Sequence, residues 1–177
     1  MKQLALLSFL FFSLSVISQE NNTGIPIPMK NGIIFYEKTF AVDPSISKDK
    51  IFLLVESWFR SSFPGSKEKI STDKYNNRVS SKGLFKVVTD EMTGHYYWIK
   101  LSINIIIKED SCKVELFNYY EKPIMPGVTN DYSKVEYRWW DFRKGKPWNK
   151  KDEALFKGLN QQSVSLITSL ETRLNYR

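Results

Sequence analysis

Apolar and polar residues alternate over residues 32–42, where Ile34, Tyr36, Phe40 and Val42 fall on one side and only Lys38 interrupts the row. A period of two predicts a half-buried strand, and Asp43-Pro44 ends it. Over residues 48–63 the period becomes helical: Ile51, Leu54, Val55, Trp58, Phe59 and Ser62 line one stripe. Ser45 or Ser47 can cap its start, and Pro64-Gly65 stops it.

Four strand-like segments follow. Residues 68–74 are short and polar, as an edge strand should be. Residues 79–89 come next, after a turn at 75–78, with Gly83 suggesting a bulge or bend. Residues 95–108 alternate most cleanly: Tyr97, Ile99, Leu101, Ile103, Ile105 and Ile107 face one way, and Tyr96, Trp98, Lys100, Ser102 and Asn104 the other. Residues 112–121 pair back across a two-residue turn at Asp110-Ser111. That register sets Ile107 opposite Val114, Leu101 opposite Tyr120 and Lys100 beside Glu121. It also puts Trp98, Phe117 and Tyr119 on the sheet face turned away from the helices.

Residues 122–149 break the pattern. They carry Pro123 and Pro126-Gly127, then Tyr132, Tyr137, Arg138, Trp139, Trp140, Phe142, Arg143 and Trp148 among further lysines. A long helix over 150–176 closes the chain, with Leu155, Leu159, Leu166, Ile167, Leu170 and Leu174 on its apolar side. Asn149 is placed as its N-cap, and Asp152 and Glu153 lie in its first turn. The order β-α-β-β-β-β-α predicts an α+β domain over 32–177: a curved antiparallel five-stranded sheet with both helices on one face.

Three stretches, IPMKNGIIFYEKTFAVD, SKDKIFLLVESWF and YYWIKLSINIIIKEDSCKVELFNYY, resemble a family of small secreted bacterial domains of unknown function. The resemblance implies a TATA-binding-protein-like fold and supplies no catalytic residues. Relative to that family, 122–149 reads as an aromatic-rich insertion.

Address comes from the other end. Residues 1–18 have a positive start at Lys2, an apolar run over 4–16 and the small-residue pattern Val16-x-Ser18, which together read as an export signal. The run is shorter than the ~20 residues of a membrane span. Residues 19–31 read as a loose lead-in. Lys2 is the one charge in the leader, so the mature chain keeps +6 of the whole chain's +7. In the cytoplasm that charge would suggest nucleic acid; after export to the periplasm or beyond, it points to an envelope protein, glycan or lipid instead. Cys112 is the single cysteine, which rules out an internal disulfide. It is also too far from the leader to be a lipoprotein anchor, and it reads as a packed thiol. Asn21-Asn22-Thr23 has the form of a glycosylation sequon.

Chemistry is thinly represented. The one histidine, His95, cannot form a histidine zinc cluster, and no Gly-x-Ser-x-Gly, His-Glu-x-x-His or phosphate-loop motif occurs. No cofactor or metal is expected. Paired carboxylates are the remaining catalytic route, as in a hydrolase acting on envelope or glycan substrates, and would need two acids within about 10 Å across a cleft. Asp90-Glu91 and Glu109-Asp110 sit in turns, where acids serve turn geometry.

Binding is the better-supported reading. Trp98, Phe117 and Tyr119 would form an aromatic sheet face, which large exposed rings make costly to leave bare. Either 122–149 folds over it as a second small core, or Trp139, Trp140 and Trp148 stack on a sugar or lipid while Arg138 and Arg143 meet anionic groups. A third use is pairing of the sheet face or of edge 68–74 with another chain.

Overall fold

The computed structural model describes residues 27–64, 66–128, 131–140 and 149–175. The leader, the sequon, Arg143 and Trp148 lie outside the described residues, as does the side chain of Trp140. Among the described residues no helix is long and apolar enough to cross a membrane.

A small hairpin comes first: β1 (Met29–Lys30) pairs with β2 (Ile33–Ile34). Asn31 and Gly32 turn between them at φ 54° and 75°, the left-handed pair a two-residue hairpin requires. The expectation of a loose lead-in as far as residue 31 is therefore corrected from Ile27 onward, since Ile27 is itself buried. Phe35 separates this hairpin from β3 (Tyr36–Ala41), and Ile34, Tyr36, Phe40 and Val42 are buried as their alternation predicts.

Helix α1 (Lys48–Ser62) starts where Ser47 Oγ accepts the Lys50 amide, and it buries Ile51, Phe52, Val55, Trp58 and Phe59. The polar edge contracts to β4 (Ser71–Asp73). Then come β5 (Arg78–Asp90), β6 (His95–Ile107), β7 (Ser111–Ile124), β8 (Ser133–Lys134), the single-turn α2 (Tyr137–Trp140) and α3 (Lys150–Asn175). The sheet runs β3-β7-β6-β5-β4 and is antiparallel throughout, with β8 pairing β7 as a sixth strand beyond the five expected. Both long helices cover one face. They meet where Trp58 Nε1 donates to Ser169 Oγ at 2.9 Å and Arg173 Nη2 donates to Ser57 Oγ at 2.8 Å.

Two details of the sheet differ from expectation. The β6–β7 turn is Glu109-Asp110, closed by Lys108 N–H donating to Ser111 O at 2.8 Å. Ile107 therefore pairs with Cys112 and Ile105 with Val114. This two-residue shift in pairing leaves every side chain of the hairpin's first half on its predicted face. Further along, Ser102 pairs with Phe117 but Lys100 pairs with Tyr120, so Leu101 faces both Asn118 and Tyr119. Asn118 takes φ 55° at this bulge. The extra residue inverts the alternation of β7. Cys112, Val114 and Leu116 point into the core before it; Tyr119 and Glu121 do so after it. The placement of Tyr119 on the outer face is corrected accordingly.

Gly83 marks no bulge, because its pairing with Leu101 is in regular register and the β5 irregularity lies between Val88 and Asp90. What Gly83 supplies is space: a Cβ there would stand 2.7 Å from Cζ of the Phe63 ring. Gly158 does the same for α3, where a Cβ would stand 2.4 Å from Val87 Cγ1. Helix propensity alone favours Gly158→Ala by about 1 kcal/mol. We predict instead a net loss of about 1–3 kcal/mol from overpacking, read as a lower midpoint in equilibrium urea unfolding; a raised midpoint contradicts the close packing of α3 on β5.

Candidate functional site

Two polar-aromatic arrangements stand out, one on each side of the sheet. The inner one is closed. Tyr119, turned inward by the bulge, donates its hydroxyl to Ser163 Oγ at 2.9 Å, whose own proton goes to Leu159 O at 2.8 Å. Tyr36 packs against the same ring at 5.9 Å and donates to Asn160 Oδ1 at 3.0 Å. Burial holds both phenols above their ordinary range.

Beside them, Arg138 Nε donates to both oxygens of Glu121, at 3.0 and 2.8 Å, while Nη1 pairs with Asp152. The guanidinium also lies 5.2 Å from the Tyr97 ring centroid. Burial alone would lower the Arg138 pKa, but Glu121 and the surrounding hydrogen bonds raise it, so the charge is permanent. Burial raises Glu121 despite Arg138. Glu136, on the turn into α2, accepts the Ile34 amide at 2.9 Å through Oε1, and burial raises its pKa as well. Asn149 caps α3 as predicted, accepting the Asp152 amide at 2.9 Å. The helix-start role expected for Asp152 is thus real, but its carboxylate also meets Arg138.

This seam corrects three expectations. Arg138 is committed to Glu121 and Asp152 and does not face an outside anion. Trp139 lies 4.6 Å from the Phe156 ring, packed on the helical side of the sheet. Residues 133–139 of the insertion therefore seal the gap between β7 and the start of α3, while the Tyr132 ring stands 5.8 Å from Lys122 Nζ. The insertion begins only after Ile124, because β7 runs through Pro123, and its described part carries β8 and α2. Glu121 and Asp152 come together on one guanidinium, which stands between them, and Glu37 and Glu115 likewise share the Lys113 ammonium at 3.0 and 2.8 Å. Among the described residues no group of acids, histidines and cysteines could hold a metal ion. Cys112 is buried, and burial pushes its thiol up to about 12, far from a reactive thiolate. His95 Nδ1 lies 3.2 Å from Lys151 Nζ at the strand start. Asp90 accepts the Met92 and Thr93 amides in its turn, at 3.1 and 3.2 Å.

The outer arrangement is open. Laterally paired residues of an antiparallel sheet share a face, and four adjacent rows can be read across β5, β6 and β7. They are Val88-Tyr96-Ile124, Lys86-Trp98-Lys122, Leu84-Lys100-Tyr120 and Lys82-Ser102-Phe117. Trp98 and Phe117 lie here as expected. Tyr96 stands edge-on to Trp98 at 6.0 Å, Lys86 Nζ sits 4.1 Å over the Tyr96 ring, and Phe35 meets Phe117 at 6.1 Å. Leu84 and Val88 stay exposed at 43% and 45%. These four rows contain four lysines and no acid; Glu68 reaches in from the edge to bind Lys100 at 2.9 Å. Lys100 was legible as an outward position on its strand; Lys122 was read as part of the insertion, and it joins Trp98 only because β7 runs on to Ile124 and carries the bulge.

The inner seam generates two predictions. Arg138→Met leaves Glu121 and Asp152 buried without their cation and should cost about 3–5 kcal/mol, measured by urea unfolding; a cost below about 1 kcal/mol contradicts the pairing. Stability should also peak on the acid side of neutrality. The Glu136 pKa is raised in the folded state, so folded protein holds more protons between the unfolded and folded values, and stability falls as pH rises through that interval. Asp49, Asp73 and Asp90 have lowered values, so what they contribute is lost only as pH falls below the ordinary carboxylate range. The unfolding midpoint should therefore rise as pH falls towards the ordinary glutamate value and drop once pH falls below the ordinary carboxylate range. Glu136→Gln should flatten the first rise; an unaltered slope contradicts the assignment.

No family model and no curated protein matches the chain. Solved structures do. A TBP-like protein from Parabacteroides distasonis superposes with a TM-score of 0.67 at 16% identity, covering 84% of this chain and 96% of that one. A DUF4468 family protein from Bacteroides ovatus also gives 0.67, at 14% identity over 85% of this chain and 91% of its own. The chain has the TBP-like fold of these two bacterial proteins, as the sequence resemblance implied.

Proposed function

We propose that the chain is an exported, non-enzymatic binding module whose outer sheet face takes an acidic glycan. The observation that carries this reading is the row Lys86-Trp98-Lys122. Adjacent strands lie about 4.8 Å apart, so the two lysines flank the indole at a backbone separation of about 10 Å. A sugar ring stacks its C–H face on Trp98, and its acidic substituents meet ammonium groups on either side. Tyr96 and Tyr120 extend the aromatic platform to the rows on either side. The apolar leader supports export, and export brings polyanionic envelope or extracellular glycans within reach.

This form differs from a ligand surface built on the insertion, because Arg138 and Trp139 are occupied on the other side of the sheet. Retardation in native gels containing alginate tests it, with dextran as the uncharged control. Alginate should retard the wild-type protein and dextran should not. Trp98→Ala should weaken binding about tenfold or more, and Lys86→Glu with Lys122→Glu should abolish it, with circular dichroism unchanged. Equal retardation by both polymers, or full binding by Trp98→Ala, sinks the reading.

A further inference from the structure

A cavity of about 330 Å³ opens where the end of α1 faces the β4–β5 edge, sharing only Lys82 with the outer rows. Phe59 and Phe63 form its floor with Ile70, while Arg60, Lys69, Lys82 and Glu68 stand around it with Ser66 and Ser81. Several features tune it towards an anion. Glu68, its one acid, is already bound to Lys100 at 2.9 Å, which holds its carboxyl below the usual range. Arg60, Lys69 and Lys82 form no ion pair among the described residues. The carbonyls of Phe59 and Phe63, which would repel an anion at a helix end, are occupied by the Phe63 and Ser66 amides at 3.1 Å each. Ser81 Oγ donates to Lys69 O at 3.3 Å and so ties the loop to β5. Gly83 lets the Phe63 ring approach the strand closely at the apolar floor.

We propose that this cavity binds a small organic carboxylate, its apolar body on Phe63 and Ile70 and its carboxylate between Arg60 and Lys69. A volume of about 330 Å³ lies at the small end of the range for small-molecule sites, roughly 300–1,000 Å³. The site is independent of the glycan reading, since neither Arg60 nor Lys69 belongs to the outer rows.

The test is a ¹⁵N-correlated titration of the whole mature chain with 4-phenylbutyrate, and in parallel with 4-phenylbutylamine, which keeps the body and reverses the charge. The acid should shift the amides of Phe63, Lys69, Ser81 and Lys82 saturably, with a dissociation constant near about 1 mM. The amine should leave them in place. Exposed Arg60 and Lys69 can be changed without touching the core, and Arg60→Gln with Lys69→Gln should weaken the acid at least about tenfold. No shift at tenfold that concentration, equal shifts with the amine, or shifts centred on Tyr96 and Trp98 would each overturn the proposal. Failure of alginate binding would leave these shifts unaffected, so the two claims fail separately.

Discussion

One bulged residue in β7 decides which side of the sheet each later side chain serves. Asn118 adopts φ 55°, a left-handed conformation that Asn tolerates better than most residues with a Cβ. Beyond it, Tyr119 and Glu121 turn inward, and Tyr120 and Lys122 turn out. Without it, Tyr119 would lie on the open face and Ser163 would lose its phenol. Glu121 would leave Arg138, and Lys122 would leave the neighbourhood of Trp98. The closed seam and the open face are two consequences of the same inserted residue.

The seam then explains why residues 133–140 of the aromatic-basic insertion lie towards the helices. Arg138 has to stay between Glu121 of β7 and Asp152 of α3, and Val135 donates its amide to Tyr119 O at 3.1 Å. Those ties draw residues 133–140 towards the helices. An ion pair taken out of water gains little net stability over an apolar substitute, but losing one partner is expensive. Arg138 thus acts as a constraint on where the insertion goes more than as a source of affinity for anything outside.

Much of this architecture could be read from the chain. Period-two runs and helical stripes gave the strand and helix order, and Ser47 and Asn149 cap α1 and α3 as their positions suggest. What escaped has identifiable causes. The Asn31-Gly32 hairpin carries the strongest short-range turn signal, but only two residues flank it on each side. The β6–β7 turn moved by one residue because Glu109-Asp110 and Asp110-Ser111 are both suitable turn pairs, and the two registers keep the same faces. The bulge had no glycine to mark it. Asn118 sits in an otherwise unbroken alternation, and reading straight through it placed Tyr119 on the wrong face. Gly83, which looked like a bulge, is a packing contact with an aromatic ring far away in sequence. Arg138 and Trp139 offered the composition of a ligand surface, and only their partners in β7 and α3 reveal them as internal.

Inverted alternation beyond Asn118 is most directly tested by proton–proton nuclear Overhauser contacts from the Tyr119 ring in isotopically labelled protein. Contacts to Ser163 and to the Tyr36 ring, and none to the Phe117 ring two residues earlier, are the predicted result. Strong contacts between the Tyr119 and Phe117 rings, with none to α3, would mean that β7 alternates without a bulge. The closed seam and the lysine-flanked Trp98 face would both then be wrong.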